Sequence, residues 1–432
     1  MLWGCDSRGR PRVTEPLSPS EPENPALPAL APKLPPSGRS RVALGLTAAA
    51  CLGRFELQVC RDCAAVQYPP REACHCCLSL RLDWTLQSGE GELISQTTLT
   101  HSNDEYFRER LPWRLGMVRL DCGPTVVTHL HGDVALAPAR VRVRAHLDRA
   151  GLAALIAVPA QELSIMSDDK QLREMTCNPQ GRKVLVSDIT TPTGQALVRA
   201  LVNAGADTVW AGHTESSKTI PGLAELRRVA NVTLIALDVT RSESVGQAAE
   251  QIGANLDILI NNSELHRAHG ISGQSGIETA RAEMDVNYFG LLRLAQEFGP
   301  TLRSRGAAGP ASTPAWVNVL SVFALANFPA HGTFSASKAA TYSLSQCLRA
   351  EMQPWGVRVI NIFPGPIDDE WSQTLPLPKL SADALALATV NALREGIEDL
   401  YPGDVAREWL ARWRENPKVL ERELAADAGI KQ

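Results

Sequence analysis

Two stretches of this 432-residue chain carry residue types at spacings that could do chemistry. The first is rich in cysteine. Cys60-Arg61-Asp62-Cys63 is followed, after ten intervening residues, by Cys74-His75-Cys76-Cys77. Two C-x-x-C pairs suit the two knuckles of one tetrahedral zinc site, each giving two thiolates. This assigns Cys60, Cys63, Cys74 and Cys77 as ligands and leaves Cys76 as a spare; four free thiols in a core is the alternative. The second stretch runs from Ser321 to Lys338. Ser321 follows Trp316-Val317-Asn318-Val319-Leu320, an apolar run that reads as a buried strand. Phe334 lies thirteen residues on, and Lys338 stands four further along an Ala/Ser/Leu-rich helix, so ring and ammonium share a face. A hydroxyl and an ammonium are therefore set about a ring that has no proton to give.

The rest of the composition narrows the classes. A formal net charge of −4 provides no basic field for nucleic acid. No uninterrupted apolar run is long enough to cross a bilayer, and Met1-Leu2-Trp3-Gly4-Cys5-Asp6 lacks the charged-then-apolar order of a signal peptide. The expectation is a soluble, cytoplasmic protein with no membrane partner, whose paired cysteines hold metal in a reducing compartment.

The elements that must position these residues fall into five segments. Residues 1–41, rich in Pro, Ser and Glu, predict a disordered tail. Residues 42–83 predict a lead-in helix and the cysteine knuckles. Residues 84–158 predict a small barrel: Gly89, Gly91, Gly123 and Gly132 punctuate period-two runs such as Thr125-Val126-Val127-Thr128-His129-Leu130. His129 and His131 lie two apart on that run, with a strand-surface role expected. Residues 159–181, polar around Ser167-Asp168-Asp169-Lys170, predict a linker. From Arg182 to residue 432 apolar strands alternate with helices, the pattern of a doubly wound parallel sheet. The fold class is thus α/β.

The segment 42–158 resembles the zinc-ribbon/OB-fold family associated with acyl-CoA thiolases and aldolases. The resemblance is carried by Cys60-Arg61-Asp62-Cys63, Val66-Gln67-Tyr68-Pro69-Pro70-Arg71, Trp84 and the Gly-rich turn at 89–91. It implies a rubredoxin-like zinc ribbon followed by an OB barrel. Oligonucleotide binding, common for OB folds, needs a basic groove with stacking aromatics, and this segment has few aromatics and mixed charge.

Residues 182–405 resemble the short-chain dehydrogenase/reductase family, on Ser321, the aromatic position Phe334, Lys338, Asn287, the Asn261-Asn262-Ser263-Glu264 run and Phe363-Pro364-Gly365-Pro366-Ile367. The resemblance implies a Rossmann-type fold and a catalytic tetrad of Asn287, Ser321, the residue at 334 and Lys338. A Tyr at position 334 would be the general acid/base; here it is Phe. His331, in the preceding loop, is the only nearby substitute donor. Cofactor contacts implied by the family fall on Gly194, Asp238, Val239, Asn261, Pro364 and Gly365. The family's Gly-rich turn matches Ser187-Asp188-Ile189-Thr190-Thr191-Pro192-Thr193-Gly194, of which only the last Gly survives. Asp188 brings a carboxylate toward two phosphates, and Pro192 deletes an N–H. Glu264 replaces a Gly beside the nicotinamide ribose, and the acidic residue that would bind an NAD ribose after Ala211-Gly212-His213 is absent; His213 or Lys218 could meet a 2′-phosphate.

Together the two resemblances imply an accessory, non-catalytic dehydrogenase-like protein of acyl-CoA metabolism, with structural zinc and a damaged NAD(P) site. Expected partners are a second copy, an active dehydrogenase, a thiolase or an aldolase. The alternative is an active NAD(P)-dependent oxidoreductase acting on a hydroxyacyl-CoA or ketoacyl-CoA. The family also implies dimerisation through the helices near Ala280 and Phe334, using Met284, Val286, Leu291, Leu292, Leu294, Ala339, Ala340, Leu344 and Leu348.

Overall fold

The computed structural model describes residues 33–161, 169–214, 222–268, 270–271, 276–307, 313–369, 372–373, 375 and 377–427. Most of the N-terminal tail, the centre of the 159–181 segment and Lys218 lie outside the described residues.

Helix α1 (Leu44–Ala50) leads into a three-stranded antiparallel sheet, β1 (Glu56–Cys60), β2 (Val66–Gln67) and β3 (Leu82–Leu86), in the order β2-β1-β3. Five strands then close a barrel: β4 (Glu90–Leu99), β5 (Trp113–Leu120), β6 (Thr125–Leu130), β7 (Ala139–Leu147) and β8 (Ala153–Pro159), in the order β4-β5-β6-β8-β7, with the short α2 (Glu105–Arg108) after β4. Period-two alternation turns Leu93, Val118, Val126, Leu130, Val141 and Val143 into one interior. His129 and His131 are not surface residues. His129 accepts the Trp113 indole N–H at 2.8 Å, and His131, past the strand end, is fully buried.

The segment expected as a polar linker is packed where it is described. It forms α3 (Lys170–Arg173) and buries Gln171, Glu174, Met175, Thr176 and Cys177. Glu174 receives the Tyr106 hydroxyl at 3.1 Å and lies 3.1 Å from Arg110.

The remaining chain builds seven parallel strands: β9 (Lys183–Val186), β10 (Thr208–His213), β11 (Val232–Ala236), β12 (Ile258–Asn261), β13 (Ala315–Val319), β14 (Arg358–Ile362) and β15 (Asp399–Leu400), in the order β11-β10-β9-β12-β13-β14-β15. Helices α4 (Pro192–Asn203) and α10 (Ala382–Glu395) bury Leu197, Leu201, Leu385 and Val390 on one face. Helices α6 (Ser242–Ile252), α8 (Gly290–Ala307) and α9 (Gly332–Met352) bury Val245, Leu294, Phe298 and Met352 on the other. The short α5 (Leu223–Leu226), α7 (Gly276–Met284), α11 (Gly403–Glu415) and α12 (Pro417–Asp427) complete the chain. Of the helix residues expected to pair chains, Leu291, Leu294 and Leu348 are spent on this core.

The barrel is bolted to the sheet. Arg358, buried, donates to Leu147 O, Asp148 O and Gly396 O at 2.9–3.1 Å, and His146 bonds Glu395 O at 2.8 Å. A guanidinium satisfying three carbonyls from two segments fixes their relative position more firmly than apolar contact alone.

Candidate functional site

The cysteines converge as their spacing requires. Cys60 and Cys77 sulfurs lie 3.6 Å apart, Cys63 and Cys74 3.5 Å, and all four fall within 4.8 Å of one another. Thiolates about 2.3 Å from a zinc stand roughly 3.8 Å apart at the corners of a tetrahedron, so the donor set fits that ion. Each knuckle turns alike. Ala64 N donates to Cys60 O and Leu78 N to Cys74 O, and Ala64 and Leu78 both take positive φ, 57° and 62°. N–H groups of Cys77 and Cys76 pull the Cys74 thiol down to about 6. Cys76 stays exposed, 3.2 Å from His75 Nε2.

The dehydrogenase-like cleft assembles at the C-terminal ends of β9, β12, β13 and β14, where a doubly wound sheet places ligands. Its phosphate turn is closed on itself. The Asp188 carboxylate accepts from Thr190 N at 2.7 Å and Thr190 Oγ1 at 2.6 Å, and burial raises its pKa. Asn262 clamps the turn through Asp188 O at 2.6 Å. At the start of α4, Pro192 removes one donor and the Thr191 hydroxyl takes the Gly194 N–H at 3.2 Å. Gly194 is required by packing: a Cβ there would lie 1.8 Å from Asp188 O. Asp238 likewise ties Thr240, N at 2.9 Å and Oγ1 at 2.6 Å, and Val239 is buried against Gly290. Asn261 is buried near Ser187 and Asn318; Pro364 O accepts from Val322 N, and Gly365 lies against Val405.

The tetrad positions are brought together, but their polar atoms are engaged. Asn287, in a π-helical turn at Asp285–Phe289, accepts from Leu265 N at 2.9 Å and donates to Leu265 O at 3.0 Å and Ser337 Oγ at 2.8 Å. Ser321 Oγ accepts from Phe323 N at 3.2 Å. Lys338 is 1% exposed, ion-paired with Glu264 at 2.7 Å and bonded to Val319 O at 3.2 Å. The carboxylate at the Gly position therefore holds the ammonium. Phe334 stacks on His266, centroids 3.8 Å apart, and meets Phe323 edge-on. His331, expected in a loop, closes a 3-10 turn and is buried, its Nδ1 2.6 Å from His266 Nε2. Burial holds both imidazoles neutral, His266 down to about 3. Sequence reasoning missed His266, which no motif marks. Among the described residues, the pocket lined by Glu264, Ser321, Phe334 and Gly365 measures about 20 Å³, room for a single water.

The family model for short chain dehydrogenase matches residues 183–377, the ChsH2 rubredoxin-like zinc ribbon residues 47–83, and the ChsH2 C-terminal OB-fold domain residues 84–146. A short-chain dehydrogenase of Penicillium crustosum is 34% identical over 192 residues, 41% of this chain and 64% of that protein. A probable oxidoreductase, EphD, of Mycobacterium tuberculosis is 29% identical over 232 residues, 50% of this chain and 37% of that protein. The chain thus spans less than two thirds of the length of these curated relatives. A short chain dehydrogenase from Burkholderia cenocepacia, solved in complex with NADP, is 33% identical, with a TM-score of 0.51 over 57% of this chain and 98% of its own. No described helix is long and apolar enough to cross a membrane. The chain belongs to the short-chain dehydrogenase family through its Rossmann half, fused behind ChsH2-type zinc-ribbon and OB-fold domains.

Proposed function

We propose that this oxidoreductase-fold chain works as an accessory, non-catalytic member of acyl-CoA metabolism, with structural zinc held by Cys60, Cys63, Cys74 and Cys77. The observation that carries this reading is the Lys338–Glu264 pair beneath Phe334. The ammonium that a nicotinamide ribose would need is neutralised at 2.7 Å, and the ring beside it lacks the hydroxyl that would transfer a proton. Removing a general acid alone costs about 10²–10⁴ in rate, and remaining members of a unit do not replace it. The phosphate turn, with the Asp188 carboxylate and with Pro192 lacking an N–H, fits a dinucleotide poorly. The zinc ribbon closes a folding unit; its chemistry is structural. The ribbon and barrel serve association with acyl-CoA or with a thiolase, aldolase or active dehydrogenase, in a cytoplasmic assembly.

A second reading keeps an active NAD(P)-dependent oxidoreductase of hydroxyacyl-CoA or ketoacyl-CoA. It is favoured by the NADP complex of the Burkholderia relative and by the retained Asn287, Ser321 and Lys338. Titration of the whole chain with NADPH and NADH, followed by ketoacyl-CoA reduction, separates the two. The accessory reading expects no turnover; micromolar binding with reduction at roughly 1 s⁻¹ or faster, an ordinary enzyme rate, would replace it with the second.

A further inference from the structure

The barrel holds a far larger cavity than the dehydrogenase-like cleft. Strands β6 and β8 pair only at His129↔Ile156 and Leu130↔Ala157. Beyond those positions they part, and α1 bridges the gap, the Thr47 hydroxyl accepting from Ala153 N at 3.1 Å. The seam encloses about 480 Å³, within the range of roughly 300–1,000 Å³ typical of small-molecule sites. Its walls are apolar and rigid: Tyr68 from the ribbon loop, Phe107, Trp113, Leu115 and Leu155. Trp113 is fixed by its N–H bond to His129 and by Phe107 edge-on at 5.5 Å. Burial pushes His129 down to about 4, so it remains an acceptor for that bond at neutral pH.

Two polar groups on this lining have unused capacity. Thr128 is 1% exposed, and its hydroxyl has no hydrogen-bond partner among the described residues. Such a group keeps its desolvation cost, which a ligand oxygen or N–H reaching it would remove. Arg39, at the mouth, is exposed and, among the described residues, donates to Pro36 O and Gly38 O. The other charged lining residue, Asp148, accepts from Leu152 N at 3.0 Å and lies within electrostatic reach of both Arg39 and Arg358. Aromatic and aliphatic walls select an apolar chain, the Thr128 hydroxyl a polar atom along it, and Arg39 a negative head.

We propose that the β6–β8 seam is a binding site for an amphiphile with an apolar tail and an anionic head. The site deepens the acyl-CoA association read for the ribbon and barrel and rests on that reading; it does not depend on whether the Rossmann half turns over. The test uses the full, zinc-loaded chain and calorimetric titration with decanoate, with 1-decanol as the headless control. Decanoate should bind saturably, one per chain. Arg39→Gln should weaken decanoate about tenfold and leave decanol within twofold; Thr128→Val should weaken both about fivefold. Ala154→Phe, on the lining, should abolish both. Zinc content and thermal midpoint establish that Ala154→Phe is folded; if it is not, the exposed Arg39→Gln and the isosteric Thr128→Val decide. Absence of saturable binding, or affinities unchanged in both of those variants, would overturn the site.

Discussion

The dehydrogenase-like cleft and the barrel seam treat polar side chains in opposite ways. In the cleft, Asn287, Ser321 and Lys338 all survive, yet each is bonded to a neighbour within the chain, and the pocket beside Ser321 and Phe334 measures about 20 Å³. In the seam no catalytic signature is present, yet about 480 Å³ is open, with a buried hydroxyl that has no partner among the described residues and an arginine at the mouth that there donates to backbone carbonyls. Residue identity is thus a poor guide to chemical availability. A retained lysine can be held by a carboxylate placed against it, and a threonine in a barrel can be the group that lacks a partner.

Chelation should have the largest effect on this contrast. The ribbon contributes Tyr68, Pro69 and Pro70 to the seam lining. Structural zinc supplies on the order of 10 kcal/mol to small ribbon domains. Stripping it should open the ribbon and abolish decanoate binding, while amide exchange in the Rossmann core stays slow. Persisting ribbon protection in metal-free protein would contradict this.

Next in size is the pair at Lys338. Glu264→Ala leaves a nearly fully buried ammonium without its carboxylate, expected to cost about 3–5 kcal/mol in urea unfolding. Glu264→Ala with Lys338→Met should recover most of that loss, because an apolar pair replaces both charges together. A Glu264→Ala loss under about 1 kcal/mol would mean that the pair does not bind the ammonium, and the cleft's closure would need another cause.

Much of this architecture was legible in the sequence. The strand at Trp316–Leu320 and the helix carrying Phe334 and Lys338 follow from apolar period and from the i,i+4 rule, and both are present. The ribbon followed from cysteine spacing, which fixes ligand geometry locally. Pairings set by distant packing were not legible. Glu264 reads as a defect in a cofactor turn, and only the fold shows it 74 residues from its ammonium partner. His266 carries no motif, and its place on Phe334 comes from the approach of the loop after β12 to the start of α9. The 159–181 segment reads as polar because Arg and Glu are polar, although Glu174 is buried against Arg110 and Arg149.

His266 gives the cleft a pH signature about 2 kcal/mol in size. His266 is held near 3, below its unfolded value of about 6.5, because burial disfavours its charged form. The unfolded chain therefore binds the extra proton first. Stability from this group is full above about pH 6.5 and falls as pH drops toward 3. Between pH 7 and pH 5 the loss is about 2 kcal/mol. His331 shifts the same way and deepens the trend. Urea unfolding at both pH values, for wild type and His266→Phe, checks this: the variant should lose about 2 kcal/mol less. Equal losses would show that His266 titrates freely.

The smallest effect is the most direct test of the contrast, because one kind of deletion should change sign between the two regions. In the Rossmann core, Ser345 Oγ donates to Asn361 Oδ1 at 2.6 Å and accepts from Asn318 Nδ2 at 2.9 Å, fully buried. Ser345→Ala orphans both amides and should destabilise by about 2 kcal/mol. In the barrel, Thr128→Val removes a buried hydroxyl with no partner and keeps the shape. The ligand-free protein should gain about 1 kcal/mol, since the desolvation cost disappears and no bond is lost. Thermal unfolding in the absence of any amphiphile reads both. If Thr128→Val is destabilising to the same degree as Ser345→Ala, the hydroxyl already has a partner, and the seam is as fully satisfied as the cleft.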